Sequence, residues 1–406
     1  MRRLRGLAAS LGDSGAASAA SFLIGIVALQ TLGDEEMALY ALLFSAGVAA
    51  MVIPQQMSFL PRRLRINREI DSVRPRYRLD ALATAPHTAL AAMLTVAAGT
   101  PLYGATGVVS AVGMATGAAI WVAASSFQDH VRTSLHVTGH HHHAASVSLA
   151  HLAFTAAGLV CASLLSAVVS DPIRSSIPFG ILALSNLVSA VLGVLLHRTT
   201  TPTGDLTRIP LSVGLRTAIS GVIFQSSNYA VNLLVALVLG ATALTNLEAA
   251  RIAAQPVLVA GTALASYFMP PAIRSQAKGD VRDSYRRIGI MAAFQFAFGG
   301  AYAAAVPVVA SAISLLAGRA IDVGLTVARV GAFSLHSTVA PLNQLNLAAE
   351  RYRLATVSTA ISVVVSLISL AALMPALHTY AVPVATAISA LIRAGGILWG
   401  GRGVPG

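Results

Sequence analysis

LHVTGHHHHAASVS (Leu135–Ser148) and LNLAAERYRLATVS (Leu345–Ser358) lie 210 residues apart in this chain. Aligned, they share Leu135/Leu345, Ala145/Ala355, Val147/Val357 and Ser148/Ser358, while Val137/Leu347 and Gly139/Ala349 are similar. At an offset of 207, VALQTLG, which ends at Gly33, falls near LVALVLG, which ends at Gly240. Two matches at nearly one offset indicate a duplicated chain, with halves at 1–205 and 206–406. The four consecutive histidines, His140–His143, occupy the turn where the second half carries Glu350-Arg351-Tyr352-Arg353. A purification tag does not belong inside a matched repeat, and consecutive histidines chelate metal poorly. On a helix only residues three or four apart share a face, so His140/His143 is the one such pair. The run reads as a solvated, weakly basic turn, with pH sensing and metal binding as the rival readings.

Working outward, the chain has 406 residues, 56% hydrophobic and only 10% charged, with a mean hydropathy of +0.74. Soluble domains carry about 25% charged residues, so this surface belongs in a bilayer. A helix needs roughly 20 apolar residues to cross a ~30 Å hydrocarbon core. Twelve such spans are expected near 10–32, 37–60, 80–100, 104–127, 144–168, 177–197, 212–239, 248–272, 288–312, 321–348, 354–374 and 378–400. The basic start of the chain resembles a signal peptide, but its small residues precede the apolar core, so it reads as a retained first span.

With the N-terminus in the cytoplasm, 22 of the 27 basic residues fall on the inside and two, Arg174 and Arg319, outside. That bias places both termini in the cytoplasm. Each half of six spans then enters from the same side, so the repeat is parallel. The net charge of +12 is explained by these loops and not by nucleic-acid binding. The basic loop Pro61–Arg78 reads as an anchor on anionic lipid, or as a docking surface for lipid phosphates.

No P-loop, HExxH, CxxC or GxSxG pattern occurs, and the single cysteine, Cys161, excludes an intrachain disulfide. The expectation is therefore a transporter, not an enzyme, with no cofactor and no metal. Its chemistry must lie in charges placed among apolar residues, each of which normally faces a wet cavity or a partner. Arg329 is the deepest of these, nine residues into its span, or ~14 Å at 1.5 Å per residue. Arg251 and Arg393 are further candidates, as is Arg216 at a span end, where an anchoring role competes. A guanidinium fork suits phosphate or pyrophosphate. Asn343 and Gln344, following Pro341, are candidate cavity-lining amides. Thr245-Asn246-Leu247-Glu248 reads as a capping box opening span eight, with Glu248 free to pair with Arg251; ion coupling is its rival role. Asp13 in span one is a proton or sodium candidate, or an interfacial residue. His151 and His336 read as satisfied core residues. Prolines 54, 86, 256, 270, 271, 307 and 383 are expected to interrupt their spans.

Three stretches resemble bacterial polysaccharide flippases: LQTLGDEEMALYALLFS (Leu29–Ser45), FQDHVRTSLHVTGHHHHAA (Phe127–Ala145) and LEAARIAAQPVLVAG (Leu247–Gly261). The resemblance implies the multidrug/oligosaccharidyl-lipid/polysaccharide exporter superfamily: an all-α inner-membrane protein of two six-helix lobes forming a V around a cationic cavity. It implies flipping of polyprenyl-pyrophosphate-linked oligosaccharide, with membrane lipids and a glycan polymerase or export machinery as further partners. Histidine replaces the usual Arg/Lys in the turn after helix four. A multidrug/cation antiporter of the same superfamily, centred on an acid such as Asp13, is the nearest alternative. A non-transporting scaffold for glycan assembly is a third. A major-facilitator transporter would carry a G-x-x-x-D-R-x-G-R-like loop after helix two, which Pro61–Arg78 lacks.

Overall fold

The computed structural model describes residues 2–60, 77–165, 171–196, 211–349 and 351–400, with backbone alone at some helical positions. Among the described residues there is no strand, and twelve helices have twenty residues or more. They are α1 (Arg2–Thr31), α2 (Asp34–Pro54), α3 (Tyr77–Ala98), α4 (Val108–Val137), α5 (His141–Leu165), α6 (Asp171–Leu196), α7 (Leu211–Leu239), α8 (Ala241–Ala277), α9 (Val281–Ala317), α10 (Val323–Ala348), α11 (Tyr352–Leu377) and α12 (Ala381–Gly400). Nine stretches of the described residues are long and apolar enough to cross a membrane, the last running through both α11 and α12. The protein is a multi-pass, all-helical membrane protein. α1 contributes the shorter apolar piece Gly15–Thr31. α10 is absent from the nine, because Arg329, His336 and a series of Ser, Thr, Asn and Gln dilute its apolar content.

Several helices outrun the expected spans. α4 continues to Val137, ten residues beyond the expected end, so FQDHVRTSLH is helix and not turn. α8 and α9 each hold 37 residues, about 55 Å at 1.5 Å per residue. That exceeds a ~30 Å hydrocarbon core, so their ends reach beyond it. α8 also begins seven residues early, at Ala241 after Gly240. The expected capping box at Thr245–Glu248 is therefore wrong: those residues sit in the second turn of an established helix. Gly240, at φ 87°, makes the tight corner between α7 and α8 that an L side chain would strain.

Most prolines do not interrupt their helices. α3 runs through Pro86, α8 through Pro256, Pro270 and Pro271, α9 through Pro307 and α10 through Pro341, while Pro383 sits in the first turn of α12. Membrane helices tolerate proline where neighbouring groups take up the freed carbonyls. Pro54 is the exception, since it ends α2 and is followed by a π-helical turn at Gln55–Phe59.

The turn at 138–140, between α4 and α5, and the link from α10 to α11 close in the same way. His140 N–H donates to the Leu135 carbonyl at 2.8 Å, and Arg351 N–H donates to that of Asn346 at 2.9 Å. Both turns link a fourth long helix to a fifth, counted from α1 and from α7. The acidic start of α2, Asp34-Glu35-Glu36, complements the positive end of the helix dipole, and Glu36 Oε2 accepts the Gly33 N–H at 3.2 Å.

The chain divides into two compact units, Met1–Tyr229 and Ala230–Gly406, with the boundary inside α7. In the first, α4 packs on α6, α1 on α5, and α2 on α3. An aromatic group fills its interior: Phe44 stacks on Trp121 at 5.0 Å, and Tyr40 lies 4.9 Å from Phe179. Gly47 lets the Trp121 ring approach so closely that a Cβ there would fall 2.5 Å from it. In the second unit, α8 packs on α9 and α10, and α10 on α12. Close approach again depends on small residues: Gly261 faces Ser337, and Gly299 faces Ser334.

Candidate functional site

In the second unit, α8 carries Glu248 and Arg251, α10 carries Arg329 and α12 carries Arg393. Counted from the starts of α8 and α10, Arg329 lies ~9 Å along, Glu248 ~10 Å and Arg251 ~15 Å at 1.5 Å per residue. Arg329 is thus the seventh residue of α10, against the ninth of the expected span. Tyr302 Oη donates to the Ala253 carbonyl at 2.7 Å, and Gln295 Nε2 donates to that of Val257 at 3.0 Å. These two bonds tie α9 to α8 within two turns beyond Arg251.

Glu248 is 2% exposed, and its Oε1 takes both Nε and Nη2 of Arg251 at 2.7 Å each. The expected i, i+3 pair therefore forms, in the helix interior. Glu248 Oε2 has no hydrogen-bond partner among the described residues. Arg329 is 6% exposed, and its Nε likewise has none. Its guanidinium stands 5.7 Å from the Phe333 ring centroid, and Glu248 and Arg251 are the charges whose fields act on it. Among the described residues, no carboxylate forms an ion pair with Arg329. Two guanidiniums thus face one carboxylate, already engaged. An arginine in the membrane interior costs roughly 2.5–3.5 kcal/mol on insertion scales, which makes an unpaired one a functional signal.

Further along α10, His336 and Asn343 follow Arg329 at successive intervals of seven residues, so the three share one face. Arg393 on α12 is buried and is the charged neighbour of His336. Asn343 is buried with Oδ1 unpartnered among the described residues, whereas Gln344 is exposed. The side chain of Arg216 and the loop 61–76 lie outside the described residues.

The first unit contains a different chemistry. Asp13 is 4% exposed, with Oδ2 3.0 Å from His136 Nε2 and Oδ1 accepting from Ser148 Oγ at 2.5 Å. Arg132 stands 3.9 Å from Asp13 and 3.2 Å from Asp129. His136 Nδ1 in turn lies 3.2 Å from His141 Nδ1, so the histidine turn joins the cluster. His140 and His143 stack at 5.5 Å, and the described residues offer no metal-holding group of three. His151, read from sequence as a satisfied core residue, is buried with neither ring nitrogen partnered among the described residues.

The structure adds a second acid–imidazole pair that the sequence does not single out. Asp80 Oδ2 meets His130 Nε2 at 3.1 Å, both buried, with Phe59 stacked on the His130 ring at 4.3 Å.

No family model matches the chain, and no curated protein matches it. Solved structures do. A MATE transporter in the straight conformation aligns at 15% identity with a TM-score of 0.64, covering 98% of this chain and 94% of that one. The lipid II flippase MurJ, inward closed, aligns at 11% identity and a TM-score of 0.62, covering 99% and 88%. A MOP-superfamily transporter from Pyrococcus furiosus, described as having a binding pocket of reversed polarity, aligns at 14% and 0.61, covering 97% and 95%. At these identities the likeness establishes the fold, that of the MOP-superfamily transporters, over essentially the whole chain.

Proposed function

We propose that this chain is a flippase that carries a polyprenyl-pyrophosphate-linked oligosaccharide from the inner to the outer leaflet of a bacterial plasma membrane by alternating access. In this reading all twelve long helices cross the membrane, both termini are cytoplasmic, and the repeats at 1–205 and 206–406 form the two lobes. Arg329 binds the pyrophosphate, with Arg251 beside it, while the prenyl tail stays in lipid. The observation that carries the proposal is the buried Arg329, without an ion-pair partner among the described residues although Glu248 is close. A structural arginine would have taken that carboxylate; one awaiting a ligand leaves its donors open. The likeness to MurJ, a lipid II flippase, supports this reading. Arg329→Ala is expected to abolish complementation of a flippase-deficient strain at normal membrane levels. Full complementation would remove Arg329 from the substrate site.

One observation favours a second reading, a cation-coupled antiporter of the same fold. Asp13 is buried and held by His136, Ser148 and Arg132, an arrangement that can exchange a proton. Under that reading Asp13→Asn abolishes transport and Arg329→Ala does not.

A further inference from the structure

We propose that Glu248 is a built-in competitor for the anion: it holds Arg251 while the site is empty and yields it when a phosphate group arrives. The inference rests on the reading of Arg329 as the phosphate-binding cation and adds a device for release. The geometry is asymmetric. One oxygen of Glu248 accepts from Nε and Nη2 of Arg251, and the other is buried without a hydrogen-bond partner among the described residues. A carboxylate present only to neutralise the two guanidiniums would place its second oxygen on Arg329. Instead Arg329 Nε has no partner among the described residues, while Arg251, whose side chain is 25% exposed, is the more accessible of the two.

A pyrophosphate carries two or more negative charges and several acceptor oxygens, so it needs more than one guanidinium. It would engage Arg329 first and then draw Arg251 away from Glu248. The displaced carboxylate stays buried beside the new anion, and their repulsion is strong in a medium of low dielectric. Carriers need sites that bind well enough to load and weakly enough to unload. Two uncompensated guanidiniums would load a pyrophosphate and hold it. Glu248 stabilises the empty state and so brings loaded and empty states closer in energy. Other ionisable groups on the elements packed against α8 include Tyr302 on α9, the turn His378–Tyr380 after α11, and His336 on α10, whose charged neighbour is Arg393. Tyr302 is engaged with the Ala253 carbonyl, and Tyr380 with Asp322 at 3.0 Å, so neither competes for Arg251.

The test uses the full chain in lipid nanodiscs titrated calorimetrically with inorganic pyrophosphate, beside complementation by the same variants. Glu248→Gln is expected to bind pyrophosphate roughly tenfold more tightly, a gain of about 1.4 kcal/mol, and to complement worse. A purely structural Glu248 would give weaker binding or none, and binding no tighter than wild type overturns the proposal. If Glu248→Gln fails to accumulate, Glu248→Asp serves, since its carboxylate is drawn back from Arg251 by one methylene. It is expected to bind between the two, and wild-type affinity in that variant overturns the proposal equally. Arg329→Gln separates the two readings. Loss of binding there with unchanged affinity in the Glu248 variants sinks the competitor role alone, whereas retained binding in Arg329→Gln sinks the reading of Arg329 itself.

Discussion

Asp13 on α1 and His136 on α4 lie 123 residues apart in sequence and 3.0 Å apart in space, and Ser148 on α5 closes on the same carboxylate. Three helices are thereby clasped at one buried acid. Asp13→Asn keeps the size but loses the charge-assisted bond to His136, worth ~1.5–3 kcal/mol. The variant is expected to unfold at lower temperature while still complementing a flippase-deficient strain. Normal thermal stability with transport lost would instead support the cation-coupled reading.

Asp80 and His130 form the parallel clasp between α3 and α4, with Phe59 stacked on the imidazole. Removing the acid leaves a buried imidazole nitrogen without its partner, at a cost of ~1–3 kcal/mol. Asp80→Ala should therefore lower the melting temperature more than substitution of an exposed acid such as Glu35, measured on the purified protein. Equal effects would show that the pair contributes little.

These clasps mark where the sequence stopped being legible. Hydropathy reports what faces lipid, and it located all twelve long helices, since each buries or exposes an apolar run. It is silent about helix ends whose polar residues face protein. The ten residues from Gln128 to Val137 continue α4, with Gln128, His130 and Ser134 buried, yet they read as a cytoplasmic turn. Glu248 read as a cap because the seven residues before it look like a loop, whereas they are the first turns of α8. Arg329 was visible from sequence because a charge within an apolar helix needs a reason whatever surrounds it. Asp80 and His130 were not, because a pair 50 residues apart leaves no local trace.

Gly261 on α8 faces Ser337 on α10, and a Cβ added there would sit 2.5 Å from the serine Cβ. This contact sets the spacing of the two helices that carry Glu248, Arg251 and Arg329. Gly261→Ala is expected to destabilise by ~1–3 kcal/mol through overpacking. Ser337→Gly should restore much of that loss in the double variant, since contacting sites are non-additive. An additive double variant would show that the helices are spaced by something else.

His140 and His143 stack on one another at the start of α5, in a half-buried turn. Replacing both with alanine is expected to leave transport and its response to zinc unchanged. A zinc effect on the wild type that disappears in the double variant would show that the turn binds metal.

The most direct test is the rate at which purified, reconstituted protein moves a fluorescent polyprenyl-pyrophosphate-linked glycan across liposome membranes, with Arg329→Gln measured beside wild type. Wild type should flip the lipid, and Arg329→Gln, reconstituted in equal amount, should fall to the rate of protein-free liposomes. A variant that flips as fast as wild type would contradict the assignment of Arg329 as the phosphate-binding residue.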